Sequence, residues 1–234
     1  MKVLQIDTEG NPNIGLYGFV TDHFCLLGSV FSKKQIEQIG EVLQVPCYQV
    51  KVARSTLVGA LVNGNNTCLL LPNTIEDEEK DLLQGILDET NEKNGLSMKL
   101  FVVPSKLTAL GNNILCNDHG ALVNPDYSAV VKKQIRQELN VTLHPGLIDD
   151  TEVVGSCGVY NSRGVVIHHK ATPEQVQEVE SLLGVPVTLG TANIGSGFIR
   201  SAVLCNDNGM IVGRSLTGIE VENIFDGLGF LEDE

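Results

Sequence analysis

The sequence predicts an α/β chain folded as a closed propeller of five strand-strand-helix-strand units with fivefold pseudosymmetry, and three observations predict it. A polar turn followed at once by an apolar triplet occurs five times, closed by Phe24, Thr67, Gly120, Gly164 and Gly209 in the tetrads TDHF, GNNT, NDHG, NSRG and NDNG. The anchors lie 43, 53, 44 and 45 residues apart, a period at which one unit cannot bury its own apolar face and must stack on its neighbours. A segment with strand character, Val3-Leu4-Gln5-Ile6-Asp7, stands before the first unit with nothing local to pair with. A ring that joins the two chain ends accommodates all three.

The fourth unit shows the plan most clearly. Residues 153–160, VVGSCGVY, read as a strand rich in small and β-branched residues, NSRG at 161–164 supplies hairpin chemistry, and Val165-Val166-Ile167 form the return strand. Thr172-Pro173-Glu174-Gln175 is a capping box with proline where its missing N–H is harmless. The helix it opens carries Val176, Val179, Leu182 and Leu183 on one face and stops at Gly184, a residue suited to the left-handed position past a helix end. A strand from Val185 to Leu189 closes the unit.

Ser32 with Gln35 opens an equivalent helix carrying Ile36, Ile39 and Leu43, and Thr217 with Glu220 opens one carrying Val221, Ile224, Phe225 and Leu228. The longer second unit is expected to cap its helix at Thr74 and Asp77, with the acidic run Glu76 to Glu79 facing the positive helix end. The third helix, around Ser128 to Leu139, has the weakest cap signal. After the fifth helix the sequence runs out at Leu231-Glu232-Asp233-Glu234, so the strand at 3–7 is expected to complete that unit and remove an open sheet edge. The reading is one domain over 1–234, with repeats at about 12–55, 56–105, 106–150, 151–190 and 191–234.

A chain of 234 residues with 42% apolar and 19% charged residues can bury a substantial core. A net charge of −13 argues against general nucleic-acid binding, DNA included, because such binding gains affinity by setting cations against phosphates. Any nucleic-acid contact must be local. No apolar run reaches the length of a membrane span and MKVLQIDTEG has no signal-peptide pattern, so a soluble, cytoplasmic protein without membrane partners is expected. The six cysteines show no C-x-x-C spacing. Cys25 and Cys68 each follow an anchor by one residue, and Cys116 and Cys205 each precede one by four, which reads as small buried hydrophobes on equivalent strands.

The five histidines make no catalytic set. His23 and His119 sit in turns, and His168-His169 follow a return strand, where adjacent side chains are expected on opposite faces and therefore not on one metal. No phosphate-binding loop, H-E-x-x-H or G-x-S-x-G occurs. No cofactor, metal or catalytic residue is expected. Glycine and asparagine instead cluster where each unit's first strand begins: NIG at 13–15, VGA at 58–60, LGNN at 110–113, VGSCG at 154–158 and TANIGSG at 191–197. Glycine in a strand marks close approach of backbone or ligand, and Asn112, Asn193 and Ser196 add hydrogen-bonding groups to what a ring would gather at one pole. That is a binding face more than a pocket.

At these segments the chain resembles the translation initiation factor 6 family. LTALGNNILCNDHGALVNPD at 107–126 is similar to that family's central signature, and VVGSCGVYNSRG at 153–164 and GTANIGSG at 190–197 match further blocks. The resemblance runs through all five units and, lacking a carboxyl-terminal extension, is closer to the archaeal form. It implies the pentein fold, a monomer without catalytic activity, and docking on the joining face of the large ribosomal subunit, near the sarcin-ricin loop and an adjoining ribosomal protein, where the factor blocks the small subunit. Gly15 and Asn112 match family residues implicated in docking, and repeat equivalence extends the face to Gly195 and Ser196. Where eukaryotic members carry a basic residue just after the second unit's glycine, this chain has Ala60. Because the pentein fold also houses deiminases and amidinotransferases with a cysteine nucleophile, an enzyme is the rival reading, but Cys205 stands without a GGGN-x-H-C pattern. A scaffold for another protein is a third.

Overall fold

The structure, a computed structural model, describes residues 2–231; Met1 and the last three residues of the predicted fifth repeat lie outside it. Its strands form five three-stranded sheets of one design: an antiparallel hairpin, then a third strand that returns parallel to the second after a helix. In the fourth unit Gly158–Tyr160 pairs antiparallel with Val165–His168, which pairs parallel with Val187–Gly190. In the fifth, Val203–Cys205 and Met210–Gly213 form the hairpin, and the third strand is Val3–Ile6 from the other end of the chain, parallel and in register from Val3 against Met210. The amino-terminal strand therefore closes the last unit as the sequence predicts.

Every middle strand is wholly buried, from Cys25–Leu27 to Met210–Gly213, because a helix covers one face and neighbouring units the other. The two faces feed different cores. Leu26 packs into a cluster with Val58, Leu69 and Leu87 of the second unit, while Cys25 and Leu27 pack with Ile6, Leu204 and Ile211 of the fifth sheet. Five such clusters exist among the described residues, each shared by two adjacent units, and the fifth-to-first cluster shuts the ring.

The helices run Lys33–Leu43, Asp77–Asn94, Ala129–Leu139, Pro173–Leu183 and Gly218–Gly227. The predicted boxes at Ser32/Gln35, Thr172/Gln175 and Thr217/Glu220 are all formed. In the second helix the cap is Glu76, boxed with Glu79, and not Thr74: a carboxylate at that place can accept the N3 amide as a hydroxyl would. Ser128 accepts the Val131 N–H at 3.3 Å, so the third helix is capped after all.

Three readings need correction. The second turn spans Asn65 to Cys68, closed by the Asn65 N–H on the Cys68 carbonyl, matching Thr21–Phe24, Asn117–Gly120, Asn161–Gly164 and Asn206–Gly209. Cys68, not Thr67, is the anchor, and it is not equivalent to Cys25. Residues 153–160 are not one strand, since Val154–Cys157 is a turn of 3-10 helix before the strand begins at Gly158. His168 and His169 do not face apart: the strand ends at His168, and the two rings stack with centroids 4.8 Å apart.

The turn asparagines also latch the units together. The Nδ2 groups of Asn65, Asn117, Asn161 and Asn206 donate to the carbonyls of Leu139, Leu183, Leu228 and Leu43, each at or beside the end of the next unit's helix, at 2.8 to 3.0 Å. These carbonyls have no intrahelical donor, and the latch supplies one. Asn206 on Leu43 carries it across the closure.

Candidate functional site

Short helical turns introduce each unit's first strand, at Ile14–Tyr17, Val58–Leu61, Leu110–Asn113, Val154–Cys157 and Ile199–Ala202. Their second residues form a ring at one pole. A Cβ on Gly15 would stand 1.9 Å from the Arg200 carbonyl oxygen, on Gly59 2.0 Å from that of Gly15, on Gly111 1.9 Å from that of Gly59, and on Gly155 2.3 Å from that of Gly111. Each backbone thus lies against the one before it, with no room for a side chain. Gly15 is buried in this ring. The fifth place holds Arg200.

The structure corrects the equivalence drawn from the letters NIG. Residues 193–197 do not correspond to 13–15; they belong to a tight reversal, Ala192 to Ser196, whose counterparts are Thr8–Asn11, Val52–Ser55 and Ile148–Thr151. These loops crown the same pole and contain residues with positive φ: Glu9, Ala53, Arg54, Asp149, Asn193 and Ile194. A β-branched residue at φ 64° such as Ile194 is strained, of order 1–3 kcal/mol, and persists only where neighbours hold it.

The holder is the N3 residue of the capping box, which serves its own helix and the crown loop together. Gln35 donates to the Asp7 carbonyl at 2.7 Å, Glu79 accepts the Ala53 and Arg54 N–H groups at 2.7 and 2.8 Å, and Gln175 both donates to and accepts from Asp149 at 3.0 Å. Glu220 accepts the Ile194 and Gly195 N–H groups at 3.2 and 2.8 Å and the Thr191 hydroxyl at 2.9 Å. Burial pushes the Glu220 carboxyl up, but the N–H groups of Thr217 and Gly195, with the Thr191 hydroxyl and Ile194, outweigh it and hold it below the usual carboxylate range. The third unit has Val131 at N3 and no such reversal among its described bridges.

Inside the crown lies an open bowl of about 410 Å³ whose lining includes Asn13, Asn112, Ser156, Ser196, Phe198 and Arg200, and no carboxylate. Three of the five sequence-predicted residues line the bowl, and the other two sit in the crown loop beside it. Asn112 lines the bowl half-exposed and its amide makes no hydrogen bond to any described residue, so it is free for a partner. Ser196 lines it too, with its hydroxyl accepting the Phe198 N–H at 3.2 Å. Gly15 forms the floor. Asn193, at the crown, donates to the Asn13 side chain at 2.9 Å and so ties the fifth unit's loop to the first. Gly195 is exposed at the loop tip beside Ile194, which is 76% exposed.

Phe198, Ile194 and Arg200 belong to this pole and are not singled out by the sequence, which shows Glu220 only as a helix cap. Phe198 is 44% exposed with its ring edge-on to His168, and Gly197 is glycine because a Cβ there would meet the His168 ring at 1.8 Å. The signal for Arg200 was available: it is the one place in five where the ring position is not glycine. Ala60, which stands where a basic residue was noted in eukaryotic relatives, is buried. Among the described residues no group of three or more histidine, cysteine and acidic side chains is placed to hold a metal, and no helix is long and apolar enough to cross a membrane.

The sequence profile of the eIF-6 family matches residues 3–227. The chain is 35% identical over 232 residues to translation initiation factor 6 of Thermococcus onnurineus, covering 99% of this chain and 100% of that one. It is 36% identical over 224 residues to the protein of the same name from Methanocaldococcus jannaschii, covering 95% and 96%. Among solved structures, a dimethylarginine dimethylaminohydrolase adduct with 4-chloro-2-hydroxymethylpyridine superposes with a TM-score of 0.48 at 13% identity, over 81% of this chain and 73% of that one. That likeness is too low to bear on activity.

Proposed function

The chain belongs to the eIF-6 family, whose relatives are named translation initiation factors, and from that premise we propose that it binds the large ribosomal subunit on its joining face and keeps the small subunit away. The partner surface on this reading is ribosomal protein and rRNA near the sarcin-ricin loop, met by a cytoplasmic monomer. The observation that supports it is the bowl: in a chain of net charge −13, its lining carries one arginine, small polar side chains including the unpartnered Asn112 side-chain amide, and no carboxylate. A partner surface can enter the bowl without meeting a carboxylate, with Asn112 and Ser196 on its lining and Asn193 and Gly195 in the loop at its edge.

The function on this reading is steric and needs no chemistry. Burial pushes the thiols of Cys68, Cys116, Cys157 and Cys205 up to about 12, so they are protonated and poor nucleophiles at neutral pH. The thiol that is lowered, Cys47 beside Cys25, lines neither the bowl nor the axial cavity. Incubation with arginine or agmatine is expected to release no ammonia.

Co-sedimentation with purified subunits tests the docking. The intact protein is expected to load on the large subunit alone, and Asn112→Arg, which fills the bowl and sets a second cation beside Arg200, is expected to lose at least tenfold in occupancy, roughly 1.4 kcal/mol or more. Binding to neither subunit, or equally to both, overturns the reading.

A further inference from the structure

Arg200 occupies the one ring place not held by glycine, and its side chain belongs to the axis. It borders the bowl on one side and, on the other, a cavity of about 50 Å³ walled by Phe19, Val20, Val159, Tyr160, Leu204 and Cys205 among others. Its Nε is buried and has no hydrogen-bond partner, and no described carboxylate is within ion-pair distance of its guanidinium. A buried N–H donor without an acceptor is costly, and a partner that brings negative charge or a strong acceptor offsets that cost.

The cavity has no anion of its own to offer. Burial pushes Cys116 and Cys205 up to about 12 against the pull of the nearby Arg200 charge, and holds Tyr160 well above the ordinary phenol range, so all three are neutral at pH 7. The carboxylates at the far pole are engaged elsewhere. Asp22, Asp118 and Asp207 accept the backbone N–H groups of Asp207, Asn66 and Ser162 at 2.8 to 2.9 Å. Nor does ring packing require a cation, since the four equivalent positions pack without any side chain.

We propose that Arg200 makes the axial cavity a binding site for one small inorganic anion, of halide or compact oxyanion class. The guanidinium supplies charge and N–H donors, and the apolar walls from the first, fourth and fifth units admit nothing as large as a nucleotide. Bound there, the ion sits between the first strands of the first, fourth and fifth units and ties them together. The site shares Arg200 with the bowl, but the inference does not depend on the ribosomal reading.

Bromide is the probe, because it scatters anomalously. Crystals soaked in bromide, or separately in phosphate, are expected to show the ion within hydrogen-bonding distance of the Arg200 guanidinium, as an anomalous peak for bromide, and a cavity empty or water-only in both soaks overturns the proposal. In solution, bromide and phosphate are titrated separately against gluconate at constant ionic strength. At about five times its dissociation constant the bound ion raises Tm by roughly 2–4 °C. Arg200→Gln, which keeps the length and removes the charge, and Arg200→Gly, which restores the ring residue, are both expected to abolish that rise. A phosphate response without a bromide response narrows the ligand to oxyanions; no response to either, or an equal rise in both variants, overturns the proposal. If neither variant folds, the wild-type crystal decides alone.

Discussion

Glu220 shows how much one side chain can hold. It caps its helix through Thr217 and restrains the strained Ile194 and Gly195 amides at the pole, all through one buried carboxylate. Glu220→Ala removes every one of these acceptors and is expected to cost roughly 2–4 kcal/mol in urea unfolding, because buried N–H groups lose a charged partner. The pH dependence follows in sign. A carboxyl held below its unfolded value stabilises the fold above that unfolded value and stops doing so as pH falls through the folded one. The protection factor of the Gly195 amide should therefore fall only at acid pH in the native chain, and stay low at every pH in Glu220→Ala. The glycines divide just as sharply. Gly59→Ala forces a Cβ to 2.0 Å from the Gly15 oxygen and should cost more than about 4 kcal/mol, whereas Gly85→Ala, in an exposed helix with nothing within 4 Å, should gain about 0.5–1 kcal/mol. Thermal melts of the pair measure both.

At the scale of elements, what was legible in the sequence was what neighbouring residues decide between themselves. The boxes at Ser32, Thr172 and Thr217 are i, i+3 chemistry, and the chain shows them wherever they occur. The turn at 154–157 was misread because a run of small and apolar residues has no period that separates a 3-10 turn from a strand. The loop at 192–196 was misplaced because its NIG letters match 13–15 while its geometry matches 148–151; an alignment by crown loop would have set Arg200 against the glycines. The Asn latches were invisible for another reason, since their acceptors lie in the next unit. Their worth can be measured. The double variant Asn206→Ala, Asn208→Ala removes both side-chain donors, at 2.8 and 3.0 Å, from the Leu43 carbonyl across the closure and should cost about 1–3 kcal/mol. Equal unfolding midpoints for the variant and the parent would remove the latch from the account.

On the scale of the molecule, cores shared between units make the ring one cooperative body, and no unit owns an interior that could stand without its neighbours. Charge is then the property that acts beyond the ring. The chain carries −13 overall, and the bowl lining has no carboxylate, so the excess lies outside the bowl, on the crown loops with Glu9 and Asp149 and on the remaining surfaces. On the proposed docking, the factor would present its other acidic surfaces outward, toward whatever approaches the joining face. An incoming RNA-rich subunit meets repulsion before it meets steric overlap, and repulsion between solvated charges decays over a screening length of about 8 Å at physiological ionic strength. Inhibition of subunit joining should therefore weaken as salt rises while the steric part persists. Light scattering of subunit association, run at low and high salt with the factor's occupancy on the large subunit matched by sedimentation, separates the two. A fixed residual inhibition with a salt-dependent increment is the expected outcome; identical inhibition at both salts would leave steric exclusion as the whole mechanism.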